Sequence, residues 1–533
     1  MNDSTSTLTA VDYDPFADGA PLAGAVPSTE AQREIWLACQ LGGDATLSYN
    51  ESVTLHLRGP LDLDKLRDAV QALVDRHDAL RATFSTDGEQ LLIAQTVALD
   101  IPVVDLRGLT SDQQSNALKR AGVQAVSIPF DLERGPLFRA RLLRLVDNHA
   151  ALVLSAHHIV CDGWSFGVLV NELAALYAAA RDGKAPPAPT EQYADYALAL
   201  QDTEHQQQAE ADARFWLAKY GDAAPAADLP TDKPRGPLRD FAAAREDMLL
   251  EPAMLDSIKQ LAARRGASLF ATLFTVFSGL VSRLTGQGDV VVGISSAGQS
   301  AEGQMSLVGH CVNLLPIRVA VDPTTPFADV LATTRGTLLD ALDHQGLTFG
   351  SLLQRLQLPR DPGRLPLVSV VFNLDARIDP ATFAAVGLQA ELITNPRQAE
   401  NFELYLNATP DARGLLLECQ YKTGLLDQVT VRGWLELYRA ALERIAAQPE
   451  LDIASVFAPT SAEQVLLTQW NATDRTYPDG ALRLSDLLAR SAAAHADGTA
   501  LVFEGRSLTY AELDARARAL AHALRAQGAG PGT

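Results

Sequence analysis

The chain has 533 residues, 47% hydrophobic and 20% charged, a composition that can bury sizeable cores and excludes a largely disordered protein. At roughly 100–200 residues per domain, that length predicts about three or four compact units. Lys plus Arg number 44 against 65 Asp plus Glu, a net charge of −21; without a concentrated basic patch, so acidic a surface repels a phosphate backbone and argues against a nucleic-acid partner.

The opening segment, MNDSTSTLTAVDYD, carries neither the basic nor the apolar region of a secretory signal. Residues 1–25 hold Asp3, Asp12, Asp14 and Asp18 among Pro, Gly and Ala with no Lys or Arg, the pattern of a flexible acidic leader. From Thr29 the pattern changes. Ile35, Leu37, Ala38 and Leu41 recur near helical spacing behind the possible caps Ser28 and Thr29. Ser52 to Gly59 alternates as a half-buried strand with Val53, Leu55 and Leu57 inward. An amphipathic helix follows with Leu66, Val70, Leu73 and Val74 on one face. FRARLLRLVDNHAALVLSAHH predicts two strands around Asp147-Asn148, and the segment from Ser165 a long helix closed by Gly183.

A second block of similar texture begins near Glu246: the helix DSIKQLAARRG, the apolar helix SLFATLFTVFSGLVSRL, and the strands DVVVGISSA and LVSVVFNLDA. The longest apolar stretch, Ser268 to Val281, is shorter than the ~20 residues of a membrane helix and belongs in a core. Between the blocks, AAPAADLPTDKPRGPLR reads as a linker or crossover. Two α/β blocks of like content predict two lobes, 26–225 and 226–459. A polar, turn-rich linker is expected over 460–480, and helix, strand, turn and helix over 481–533, a piece too small to stand easily alone. Cys39, Cys161, Cys311 and Cys419 are scattered without CxxC pairing, which argues against a zinc site or disulfide framework and predicts a reducing cytoplasm.

The most informative segment runs from Ser155 to Ser165, SAHHIVCDGWS: an apolar strand enters His157-His158, then turns at Asp162-Gly163 into a helix. Neighbouring side chains at a strand end point to opposite faces, so one imidazole at most looks into a given cleft. Histidine titrates near neutrality, which suits it to hold or accept a proton. Buried Asp162 would require partners.

HHIVCDGWS resembles the HHxxxDG motif of the condensation domains of nonribosomal peptide synthetases, relatives of chloramphenicol acetyltransferase. STEAQREIWLACQL is similar to that family's first motif, RHDALRATF (Arg76 to Phe84) to its second, YADYALAL to its fourth and VGHCVNLLPIRV to its fifth. HQGLTFGSLL is a loose version of the sixth, lacking its acidic and proline residues, and RDPGRLPLVSVVFNLD is close to the seventh. These segments occur in family order from about Pro27 to Pro459, and LTYAELDARARALA (Leu508 to Ala521) resembles the first motif of an adenylation domain.

The resemblance implies an α/β fold of two acetyltransferase-like lobes forming a V around a tunnel, followed by the N-terminal fragment of an adenylation domain. It implies amide formation: a carrier-bound aminoacyl amine attacks a carrier-bound donor thioester. His158 would face the tunnel and hold the attacking amine, as general base or positioner, with His157 beside it held in the structure. Gly163 would let the backbone approach substrate, since any side chain there obstructs. Asp162 would be structural and pair with Arg81. Asn313, Ser295 and Trp164 would line the tunnel. No cofactor or metal is expected on the chain itself; the substrates would ride on phosphopantetheine arms of separate carrier proteins, the donor carrier on an upstream polypeptide. A nucleophilic Cys161 is set aside as a packing residue, and GISSAG (Gly293 to Gly298) is not a hydrolase elbow. Epimerisation on the same fold, and a silent relative that only recruits partners, remain as alternatives; the intact His158 and Gly163 speak for condensation.

Overall fold

The computed structural model describes residues 21–187, 191–221, 227–356, 358, 361–375, 381–477, 480 and 482–533. The chain divides into two compact units, parted after Thr460, rather than three or four. The first unit holds two large hydrophobic cores, and the boundary between them is not a single cut in sequence. Ala213, Trp216 and Tyr220, N-terminal to residue 226, pack in the second core, while Leu307, Val308, Cys311, Phe383, Val386 and Leu388 return to the first.

The sheets explain this exchange. A five-stranded sheet runs in the order Gln389–Thr394, Asn50–Arg58, His149–His157, Phe138–Val146 and Val103–Asp105, so its edge strand comes from the second block. Six strands form the other large sheet, in the order Val312–Ala320, Asp289–Ala297, Val370–Leu374, Leu404–Asp411, Gly414–Lys422 and Ala243–Leu250. A smaller sheet joins Leu22–Pro27, Gln90–Ala94 and Ala82–Phe84. Of the expected leader, residues 1–20 lie outside the described residues, and its last residues belong to the strand that pairs with Gln90–Ala94. Asparagine at the 148 turn joins Phe138–Val146 to His149–His157 as the sequence predicts.

Two expectations shift for physical reasons. The helix Glu30–Cys39 buries Gln32, Ile35 and Cys39, leaving Leu37 and Leu41 59% and 66% exposed. Its rotation is set by polar bonds: Gln32 closes a capping box with Thr29 and donates to the Ile159 carbonyl at 3.0 Å. Asn50–Arg58 is flanked by strands on both sides and covered on both faces, so Ser52 and Thr54 are buried along with Val53, Leu55 and Leu57. The helix Gly163–Asp182 closes at Gly183, whose φ of 64° is the left-handed cap that glycine accepts without strain.

The second unit begins with the helix Ser461–Trp470, where a linker was expected. Leu484–Ala494, the hairpin Thr499–Phe503 with Arg506–Thr509, and Tyr510–Ala526 follow, the last helix opened by a Thr509–Glu512 capping box. Among the described residues, no single helix is long and apolar enough to cross a membrane.

Candidate active site

His157 ends its strand and His158 begins the turn, and the two rings part as the alternation requires. His157 is fully buried: Tyr49 and Phe130 pack around it, its Nδ1 accepts from the Ile159 amide at 3.3 Å, and Nε2 lies 3.7 Å from Cys39 Sγ. Burial, with His158 alongside, pushes its pKa down to about 3, so it stays neutral at any working pH. His158 looks the other way with its side chain 20% exposed; Nε2 is 3.3 Å from Glu51 Oε1 and Nδ1 is 3.0 Å from His310 Nδ1. The Glu51 carboxylate in turn lies 3.8 Å from Arg397, which also pairs with buried Glu400 at 3.0 Å.

Asp162 is the N-cap of Gly163–Asp182 and is fully buried. Its Oδ1 accepts from the Ser165 amide at 2.8 Å and the Ser165 hydroxyl at 2.7 Å; Oδ2 accepts from Gln299 Nε2 at 2.9 Å and the Cys311 amide at 3.1 Å. A carboxylate at a helix N-terminus is favoured by the exposed N–H groups of the first turn. Here it also ties that helix to residues of the second block.

Arg81 is not its partner, contrary to the pairing that the resemblance implied. Its guanidinium donates to the carbonyls of Ala94, Val74 and Asp75, at 3.1, 3.0 and 2.5 Å, locking the end of the helix Leu63–Arg76. Carbonyls left open at a helix end need such donors. The two sites share no partner, so Arg81→Ala and Asp162→Ala should destabilise independently, with a coupling energy of no more than ~0.5 kcal/mol in a double-mutant cycle read by denaturant unfolding.

Gly163 is exposed at the first turn of its helix, and a Cβ built there would meet nothing within 4 Å. The protein itself therefore does not require glycine at this point; open space lies beside it. Trp164 donates from Nε1 to the Met305 carbonyl at 3.1 Å. Asn313 has both ends of its amide engaged, donating to the Gln345 and Leu347 carbonyls at 3.0 and 2.7 Å and accepting from the Phe349 amide at 3.2 Å. It holds the 345–349 turn. Ser295 is half-buried on Asp289–Ala297, opposite Leu314. Burial raises the Cys161 thiol well above its ordinary range, unlike an activated nucleophile.

Sequence reasoning missed Glu51, His310, Arg397 and Gln299. Glu51 is legible in hindsight as the lone acid of the strand Asn50–Arg58; His310 stands inside VGHCVNLLPIRV, but nothing in the spacing shows that a residue 152 positions away meets His158.

Residues 23–468 match the family model of the condensation domain. The chain belongs to the condensation domain family. Residues 488–533 match the model of AMP-binding enzymes. This condensation domain chain is 34% identical over 514 residues to tyrocidine synthase 2 of Brevibacillus parabrevis, covering 95% of this chain and 14% of that protein. It is 33% identical over 525 residues to malpibaldin synthetase of Mortierella alpina, covering 94% of this chain and 9% of that protein. The chain thus spans only between 9% and 14% of the length of these curated relatives. The first condensation domain of the calcium-dependent antibiotic synthetase, solved with a substrate analogue, shares the fold with a TM-score of 0.71 at 22% identity, over 81% of this chain and 99% of that one. The mixed α/β fold expected from the sequence is the fold observed.

Proposed function

We propose that this condensation domain is an acyltransferase that joins a donor acyl or peptidyl thioester to the amine of an aminoacyl thioester, each carried on the phosphopantetheine arm of a carrier protein. The observation that carries this reading is His158: it stands just past the end of the strand His149–His157, its side chain one-fifth exposed, with Nε2 3.3 Å from Glu51 Oε1.

A thioester is already activated, and an α-amine has a pKa near 8, so much of the rate comes from holding the two reactants together. The amine nitrogen attacks the thioester carbon, the C–S bond breaks, and the amine's proton passes through His158 Nε2 to the departing thiolate. The products are an amide on the acceptor arm and a free thiol on the donor arm. Gly163, with open space where a side chain would stand, leaves room for substrate. Buried, unpaired cysteines suit a reducing compartment, and we place the reaction in the cytoplasm.

Gly163→Leu tests the role of that space. Because no protein atom lies within reach of a Cβ there, thermal stability should change by less than ~1 kcal/mol, while the amide-forming rate falls ~10-fold or more. A fully active Gly163→Leu protein would mean that substrate does not pass this residue. Epimerisation is separated by supplying one loaded carrier alone in deuterium oxide: condensation requires both thioesters and leaves the donor Cα–H in place, whereas epimerisation would exchange it with no second carrier present.

A further inference from the structure

The His158 ring has a second imidazole behind it. His310 Nδ1 is 3.0 Å from His158 Nδ1, and the rings meet edge to face with centroids 4.9 Å apart and planes at 78°. Two nitrogens at that distance share one proton: one donates, the other offers its lone pair. His310 is buried, and burial holds its pKa well below the ordinary range, so it remains a neutral partner.

We propose that His310 is the positioning residue of the His158 base, its Nδ1 accepting the His158 Nδ1–H so that the lone pair of His158 sits at Nε2. The assignment rests on the amide-forming reading of His158 for its direction. Nε2 lies 3.3 Å from Glu51 Oε1, whereas Nδ1 faces the buried His310 ring. For Nε2 to take a proton from an amine, the ring's own proton must be on Nδ1, and His310 is what receives it there. His310 then carries its single N–H on Nε2.

The backbone around His310 is held for this task. The Gly309 amide donates to Ser165 Oγ at 3.0 Å, the His310 carbonyl accepts from Tyr193 OH at 2.7 Å, and the Cys311 amide donates to Asp162. A Cβ at Gly309 would overlap the Tyr193 ring, at 1.9 Å from its nearest atom, so only glycine permits this approach. Three successive residues are thereby tied to the HHIVCDGWS segment and its neighbour Tyr193. In the serine-protease triad a carboxylate fills the corresponding place; here a neutral imidazole fixes tautomer and ring plane without putting an anion behind the base.

The test compares His310→Phe, which keeps a ring but offers no acceptor, with His310→Asn, whose amide oxygen can occupy the Nδ1 position, using the full chain and both loaded carriers. His310→Phe should lower kcat for amide formation ~10–100-fold with KM for either carrier thioester unchanged, and His310→Asn should recover most of the rate. In parallel, nitrogen-15 NMR of histidine-labelled protein, with the His158 signals assigned by their loss in His158→Ala, should show Nδ1 protonated in the wild type and a redistributed tautomer in His310→Phe. Equal kcat in all His310 variants, or a wild-type His158 protonated at Nε2, would overturn the proposal. Failure of the amide-forming reading looks different: His158→Ala would then keep the wild-type rate, while the nitrogen-15 spectrum still decides the His158–His310 contact.

Discussion

Replacing Asp162 by alanine should lower stability by about 3–5 kcal/mol and depress amide formation together with it. The carboxylate is fully buried and accepts from Ser165 twice, from Gln299 and from Cys311. Removing it strands buried donors at ~1–3 kcal/mol each, only partly recovered by relaxation. Asparagine is not a conservative substitute here. Its oxygen could serve Ser165, but its NH2 would face the Gln299 NH2 and the Cys311 amide, donor against donor. Asp162→Asn should therefore fall within ~1 kcal/mol of Asp162→Ala by denaturant unfolding. The rate loss has a structural route: the Cys311 amide held by Asp162 adjoins His310, and His310 touches His158. An Asp162→Asn protein of wild-type stability would mean that the four bonds are not what holds this junction.

His158→Ala is expected to slow amide formation ~100-fold or more while leaving the fold intact. The ring is one-fifth exposed and its contacts are polar, to Glu51 and His310, so truncation opens no apolar cavity in the manner of a core residue. Removing it would leave the buried His310 ring without its Nδ1 partner, a cost on the order of 1–2 kcal/mol. Single-turnover measurement separates the two effects, since the chemical step is read with carriers saturating. A mutant within ~3-fold of wild type would reduce His158 to a bystander and leave orientation alone to account for the rate.

The family was legible in the sequence because motif residues carry local constraints that a linear reading can see. His157-His158 at the end of an apolar strand and Gly183 as a left-handed cap are each decided within a few residues, whereas the helix read from Ser165 begins at Gly163 with Asp162 as its N-cap. Partners across the fold were not legible. The Asp162–Arg81 pair was taken from the resemblance, whereas the chain satisfies Asp162 with Gln299 and the Cys311 amide, more than 130 positions away, and uses Arg81 at a helix end. The partners of Asn313 were equally hidden: its amide holds the 345–349 turn. The two lobes were read as sequential because the elements alternate in sequence. Strand order in a sheet depends on non-local pairing, and Gln389–Thr394 crosses to complete the first sheet. The rotation of Glu30–Cys39 escaped the hydrophobic pattern because a buried Gln32, satisfied by Thr29 and Ile159, outweighed the leucines on the other side.

The most direct measurement loads a donor acyl group on one carrier protein and an aminoacyl group on another, adds the wild-type chain, and follows the acceptor thioester by intact-mass spectrometry. The account predicts that the acceptor arm gains the mass of the donor acyl group, less one hydrogen, as the donor arm returns to the free thiol. Both thioesters unchanged in the presence of the chain, with each carrier shown to bind it, would contradict amide formation and make this condensation domain a recruiting surface instead.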